Sequence, residues 1–281
     1  MKIRTHYWHA RVKSRAKLLA YRVLGRDHGR YFRVGNAGDI LTADLLRWHY
    51  GCDVLNCDSG GKRLLLIGSI GHSVQLGDVV CGIGTKEAAL PKAHENHGVQ
   101  VLGLRGPISL DAFRNAGYDV SGVRFLFDPG LLIRSLLPAE ILAEPARGAI
   151  FIPHYRERAR YERHRAIPDQ IRLESIDASP LQVAKAILGA ELVYTSSLHG
   201  IIFSHALGRP CVFIKPQTEE PLLKYEDYFA GIGVSMPEPR NDIWAAHAQA
   251  KPVSPTQLRC EVTAKVLPTI AELTQRGIAV Q

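Results

Sequence analysis

The chain has 281 residues, 46% of them hydrophobic, which is length enough for two domains of roughly 120 to 150 residues each. Its formal net charge of +8 is concentrated: residues 1–30 hold nine of the 35 Lys and Arg and one of the 27 acids, leaving 26 of each for the rest. A neutral body argues against a nucleic-acid groove across the fold, and no stretch approaches the ~18 apolar residues of a membrane span. The five cysteines, Cys52, Cys57, Cys81, Cys211 and Cys260, are scattered without C-x-x-C or zinc-like spacing, which points to a reducing compartment. With no signal-peptide core at the amino terminus, the expected location is the cytoplasm.

Residues 1–30 read as a basic N-terminal arm. Trp8, Val12, Leu19 and Val23 fall on one face of a helix whose other positions are largely basic, a pattern that suits peripheral contact with an anionic membrane or a solvated helix packed on the body. An N-terminal α/β lobe is expected over 31–140. It begins with a short strand at 31–34, and Gly35-Asn36-Ala37-Gly38-Asp39 turns the chain into a helix over 40–50. Such a glycine-rich turn marks a ligand edge; Asn36 and Asp39 either orient a substrate hydroxyl, with Asp39 as a base, or Asp39 caps the helix.

Strands are expected at 62–67, ending in Gly68-Ser69-Ile70-Gly71, and at 79–82, ending in Gly82-Ile83-Gly84-Thr85. Small residues after successive strands let backbone approach a ligand along one sheet edge, although no full dinucleotide fingerprint is present. A strand over 99–104 delivers Arg105 just before Pro107 and a helix over 108–116. The Arg105 guanidinium there binds an anionic ligand bidentately or pairs with a neighbouring acid. A strand over 123–127, the turn Asp128-Pro129-Gly130 and a short helix over 131–137 close the lobe.

The stretch 138–148, with Pro138, Pro145 and Gly148, is the domain boundary, and a C-terminal α/β lobe is expected over 148–281. A strand over 149–152 ends at His154, which is placed for a ligand, whereas the charge run over 156–165 reads mainly as a solvated face. A strand over 171–176 and a helix over 180–188 follow. Next comes a compact βαβ unit: a strand over 191–195, Ser196 or Ser197 as helix cap, a helix through Leu198, His199 and Gly200 to Gly208, and a strand over 212–214. Free N–H groups and the dipole at that helix start favour an anion, and Gly200 leaves room for a ligand to reach the backbone. His199 either touches the bound anion or packs as a satisfied histidine, and His205 reads as core or surface. Lys215, at the next strand end, faces an anion or solvent. A helix is expected at 224–229, and Ser254-Pro255-Thr256-Gln257 starts a terminal helix over 255–276 that packs back on the N-terminal lobe, with a kink at Pro268.

Taken in order, Gly35 to Asp39, Gly68 to Gly71, Gly82 to Thr85, Leu104-Arg105-Gly106-Pro107, Asp128-Pro129-Gly130, Ile152-Pro153-His154-Tyr155 and Ser196 to Ile214 resemble the polysaccharide pyruvyl transferases, over roughly residues 31–233. The resemblance implies two Rossmann-like lobes in a glycosyltransferase-B-like α/β fold, with the active site in the cleft between them. It implies transfer of the enolpyruvyl group of phosphoenolpyruvate to a sugar of a bacterial polysaccharide or its lipid-linked precursor, as a pyruvate ketal with release of phosphate. No cofactor beyond that donor substrate is implied. Arg105 matches the family's donor-binding arginine and His199 the histidine of its Leu-His motif. Many members carry arginine where this chain has Ser197, so Lys215, His154 or the helix start is expected to supply the charge.

The residue types suit that chemistry. Phosphoenolpyruvate is polyanionic, and an arginine, a lysine and a helix start are suitable binders. Ketal formation needs a proton delivered to the enol methylene carbon, for which His199 is the candidate acid, with Asp39 or Asp128 accepting the hydroxyl proton. No metal-ligand set is visible. Two other readings are a nucleotide-sugar glycosyltransferase on the same architecture and an inactive saccharide-binding assembly protein held at a membrane through residues 1–30.

Overall fold

The computed structural model describes residues 1–9, 16, 19–20, 23–24, 32–86, 90–95, 97–143, 145–164, 166–249 and 252–281. Val12 of the expected amphipathic face lies outside these residues, as do Arg11, Lys13, Arg15, Lys17, Arg22, Arg26 and Arg30 of the basic arm.

Along the first half of the chain the elements are β1 (Lys2–Thr5), α1 (Ala37–Tyr50), β2 (Asp53–Asn56), β3 (Leu64–Leu65), β4 (Val79–Cys81), β5 (Gln100–Leu104), α2 (Pro107–Asn115), β6 (Phe125–Leu126), a 3-10 segment (Pro129–Leu136) and α3 (Ala139–Leu142). The second half contributes β7 (Ala149–Ile152), α4 (Arg158–His164), β8 (Ile171–Leu173), α5 (Pro180–Leu188), β9 (Leu192–Thr195), α6 (Leu198–Ala206), β10 (Cys211–Phe213), α7 (Leu223–Gly231), α8 (Ile243–Ala248), α9 (Ile270–Gln275) and β11 (Ala279–Val280).

Among the described residues these strands form two sheets. In the first, β1, β3, β4, β5 and β6 are parallel neighbours, β2 adds in parallel to β1, and β11 returns antiparallel to β1 with Lys2 opposite Val280. The second has the order β10-β9-β7-β8 and is wholly parallel. Parallel strands joined by helices give a mixed, Rossmann-like α/β fold. The central strands are short apolar runs, such as Val79-Val80-Cys81, buried throughout because helices cover them, whereas β2 at the margin is half-exposed. One hydrophobic core links the two sheets, joining Leu64 and Leu66 to Ile150 and Val193.

Helix α6 lies inside this core. Every residue from Leu198 to His205 is buried, and the helix packs against the 3-10 segment and α1, as expected for a helix that is apolar on all sides. Its burial fixes the direction in which its amino end points. At the end of α1, Gly51 adopts φ 64° and its N–H bonds to Arg47 O, a left-handed cap that a side chain would strain.

Three expectations change. Lys2–Thr5, assigned to the arm, is a strand within the first sheet, and Trp8 packs against Phe32 and Tyr155 at ring distances of 5.5 and 5.3 Å instead of facing outward. The described part of 31–34 is not a strand, because the Asp177 carboxylate takes the N–H groups of Arg33, Val34 and Gly35 that a strand neighbour would otherwise hold. The terminal helix does not start at the Ser254 box. Residues 254–263 are irregular, Leu258 and Val262 pack half-buried on the core, and the helix is α9, capped reciprocally by Thr269 and Glu272. The chain end nevertheless returns to the first sheet, as β11.

Candidate functional site

A cavity of about 440 Å³ opens where the two sheets present the carboxyl ends of their parallel strands. The segment after β1 brings His6 and Trp8, that after β3 brings Ser69, Ile70 and His72, and that after β4 brings Lys86. From the second sheet, the β7 end contributes His154, Tyr155 and Arg156, the β9 end Ser197, Leu198 and His199, and the chain beyond β10 Glu220 and Lys224. This is where open α/β sheets place ligands, because the helix starts that follow the strands expose N–H groups on that side.

Two helix starts meet here. Asn36 caps α1, its Oδ1 accepting from Gly38 N at 3.2 Å, and Asn36 and Asp39 both line the cavity. Ser197 is the cap residue of α6 but its hydroxyl makes no capping bond, so the first N–H groups of that helix keep their capacity for a ligand. Ser196 is turned away: its hydroxyl donates to Glu157 Oε2 at 2.5 Å and accepts from His154 N at 2.7 Å, which fixes the His154 backbone. A Cβ on Gly38 would overlap the His199 ring, so glycine is what lets the starts of α1 and α6 approach this closely. Likewise a Cβ on Gly200 would strike Thr195; that glycine serves helix-to-strand packing.

Asp39 and His199 line the cavity with opposite perturbations. Burial pushes the Asp39 carboxyl up to about 7, against the pull of Lys224. Burial also pushes the His199 imidazole down to about 3, with Lys224 and Arg105 adding to the effect. Near neutrality, then, the acid is half-protonated and the histidine is neutral. His199 Nε2 and His154 Nδ1 are buried without a hydrogen-bond partner.

Arg105 is fully buried and does not itself line the cavity. Its Nε donates to Asp227 Oδ2 at 3.1 Å, Nη2 to Thr85 O and Nη1 to Ser69 Oγ, both at 2.7 Å; Ser69 is at the cavity wall. A Cβ on Gly84 would collide with the guanidinium. Of the two uses open to Arg105 in the sequence, the ion pair is the one formed, and its contact with the cavity runs through Ser69. Lys215 is exposed and outside the cavity, with its backbone N–H bonded to Arg240 O. Asp128, also weighed as a base, is buried as the cap of the 3-10 segment and is not part of the lining.

The positive charge comes from residues the sequence reading did not single out. Lys224, on α7, is 7% exposed, and burial pushes its amine down to about 8. It pairs with Glu220 at 2.6 Å, and Arg156 and Lys86 complete the cationic lining. Lys224 sits well beyond a strand end, so only the path of the 214–222 stretch brings it back. Among the described residues no group of three or more His, Cys, Asp or Glu is placed to hold a metal ion, and no helix is long and apolar enough to cross a membrane.

Residues 79–218 match the family model described as polysaccharide pyruvyl transferase. An uncharacterised protein of Acanthamoeba polyphaga mimivirus is 28% identical over 210 residues, covering 71% of this chain and 71% of its own. No solved structure matches. The matched stretch holds Arg105, His154 and Ser196 to Gly200, whereas Asn36, Asp39, Glu220 and Lys224 of the same cavity lie outside it. From Val79 to Thr218 the chain is therefore similar in family terms to the polysaccharide pyruvyl transferases, as its ordered motifs indicate.

Proposed function

We propose that the protein transfers the enolpyruvyl group of phosphoenolpyruvate to a saccharide, forming a pyruvate ketal and releasing phosphate. The observation that carries this reading is the cationic cavity at the start of α6, whose lining Lys224, Lys86 and Arg156 share with His199 and Asp39. A small polyanion fits its charge, and a volume of about 440 Å³ leaves room beside a three-carbon donor for a sugar ring. The two-sheet arrangement, with ligand groups at both sets of strand ends, also suits a glycosyltransferase-B-like cleft.

The proton steps follow from the two perturbed groups. Asp39, holding its proton close to neutral pH, donates to the methylene carbon and leaves a cationic centre at the adjacent carbon. One sugar hydroxyl adds there and its proton passes to neutral His199. The second hydroxyl closes the ring as the carbon–oxygen bond to phosphate breaks, its proton leaving with the phosphate, and solvent exchange resets Asp39 and His199. These roles reverse the assignment the sequence suggests, because burial holds His199 neutral. Arg105 acts as a positioning residue that orients the Ser69 hydroxyl.

The basic segment after Trp8, up to residue 30, with exposed Leu19 and Val23, contacts an anionic membrane that carries lipid-linked acceptors. Sedimentation with anionic and with neutral vesicles checks this, and binding to neither removes it. The catalytic reading is tested by phosphate release from phosphoenolpyruvate with a panel of free and lipid-linked saccharides. Wild type is expected to release phosphate only with an acceptor, and His199→Ala to lose about a hundredfold or more of that rate while remaining folded. Consumption of a nucleotide sugar in its place would overturn the reading.

A further inference from the structure

Among the cationic groups of the cavity, one carboxylate is already paired. The Glu220 side chain is 4% exposed; its Oε1 accepts from Lys224 Nζ at 2.6 Å, and its Oε2 lies 3.2 Å from Arg156 Nη1 and 3.9 Å from His154 Nε2. Lys224 and Glu220 are four residues apart in the chain, with Glu220 just before α7, whereas Arg156 and His154 follow the end of β7. Polar and charged groups from the β7 end and from α7 thus converge on a single carboxylate, and all four residues line the cavity.

An arrangement of this kind is a poor device for stability, since desolvating the ions offsets most of their attraction. It also leaves buried polar atoms unused. His154 Nδ1 and His199 Nε2 are buried without a hydrogen-bond partner in the same cavity, and buried polar groups of a completed interior are paired. Lys224 Nζ and the Arg156 guanidinium carry more donors than one carboxylate satisfies, which suits a ligand with more charge and more acceptor oxygens.

We propose that Lys224, Arg156 and His154 form a phosphate subsite whose resident counter-ion is Glu220, and that an incoming phosphate dianion takes the place of the Glu220 carboxylate. The inference rests on the reading of this cavity as the donor site and adds to it a residue that sets selectivity. An anion binds here only by outcompeting a carboxylate already in contact. Phosphate, with two charges and three free oxygens, does so, whereas a simple carboxylate offers nothing Glu220 lacks. On this account Lys224 and Arg156 supply the charge absent at Ser197. When phosphate is released, the return of Glu220 to its partners lowers the cost of emptying the subsite.

Titration calorimetry of inorganic phosphate, with neither donor nor acceptor present, tests the exchange in wild type, Glu220→Gln, Glu220→Ala and the exposed neighbour control Glu219→Gln. Removal of the resident carboxylate is expected to tighten phosphate binding about tenfold in both Glu220 variants, with Glu219→Gln unchanged and acetate binding weak throughout. Lys224→Met should abolish phosphate binding in wild-type and Glu220→Gln backgrounds alike. Equal or weaker phosphate affinity in Glu220 variants that unfold cooperatively on heating would overturn the subsite. If that result accompanies normal turnover of phosphoenolpyruvate, the donor reading survives and the exchange does not. Tighter phosphate binding without turnover on any acceptor gives the opposite division.

Discussion

At the scale of single residues, the chemistry depends on two groups that burial pushes in opposite directions. Asp39 has its carboxyl raised from 3.8 to about 7, so the folded state retains a proton that the unfolded chain releases. This contribution is fully present below pH 3.8 and is lost as pH rises through about 7. Asp39→Asn, which cannot ionise, should therefore gain stability relative to wild type between pH 4 and pH 8, read as a growing difference in thermal midpoint. A constant difference would contradict the burial argument. His199 behaves in the opposite sense: depressed from 6.5 to about 3, it opposes folding increasingly as pH falls below 6.5. Asn36, Asp39, His154 and His199 were legible in the sequence because each directly follows a strand or opens a helix. Lys224 was not, since an isolated lysine inside a helix carries no local signal and its role arises from burial. Arg105 was recognised for its charge, but no local pattern reveals its partner Asp227, 122 residues away.

At the scale of elements, two carboxylates hold the site together across long sequence distances. Asp177, just beyond β8, accepts the N–H groups of Arg33, Val34 and Gly35 and pairs with Arg158 Nη1 at 2.7 Å. It thereby fixes the entry to α1 and the position of Asn36 and Asp39. Asp177→Ala leaves these charged bonds unmade and should cost about 2–4 kcal/mol in denaturant unfolding, with a further loss of turnover as Asp39 loses its placement. Asp227, on α7, accepts from Arg105 Nε and from both Ser109 N and Ser109 Oγ at the start of α2. Asp227→Ala strands a fully buried guanidinium and should cost about 3–5 kcal/mol by the same measurement. A cost below 1 kcal/mol for either would show that the carboxylate is not what joins these elements. Helices α1, α2, α5 and α6 were readable from turn residues and apolar pattern, as Pro107 at the start of α2 illustrates. The difference at 255–276 has a physical cause: Leu258 and Val262 pack half-buried on the core from irregular chain, overriding the local cap at Ser254, and the helix starts only at the Thr269–Glu272 box.

Across the whole molecule, the site is a product of alignment. Two parallel sheets present their carboxyl ends to one cavity, and a shared core containing α6 prevents the two helix starts from separating. The alternation of strand and helix was evident in the sequence because parallel strands read as short apolar runs between caps and glycine stops. The positions of β1 and β11 were not, because Lys2–Thr5 resembles a basic tail and becomes a strand only through pairing with residues far along the chain. The same limit hid Trp8 at the cavity wall. The central claim, pyruvyl transfer, is tested most directly by incubating phosphoenolpyruvate with the saccharide panel in heavy water and analysing the product by mass spectrometry. The expected product is an acceptor carrying one pyruvate ketal with a single deuterium in its methyl group, formed by wild type and not by His199→Ala or Asp39→Asn. A saccharide that gains no pyruvate, or one whose ketal forms undiminished in both variants, would contradict it.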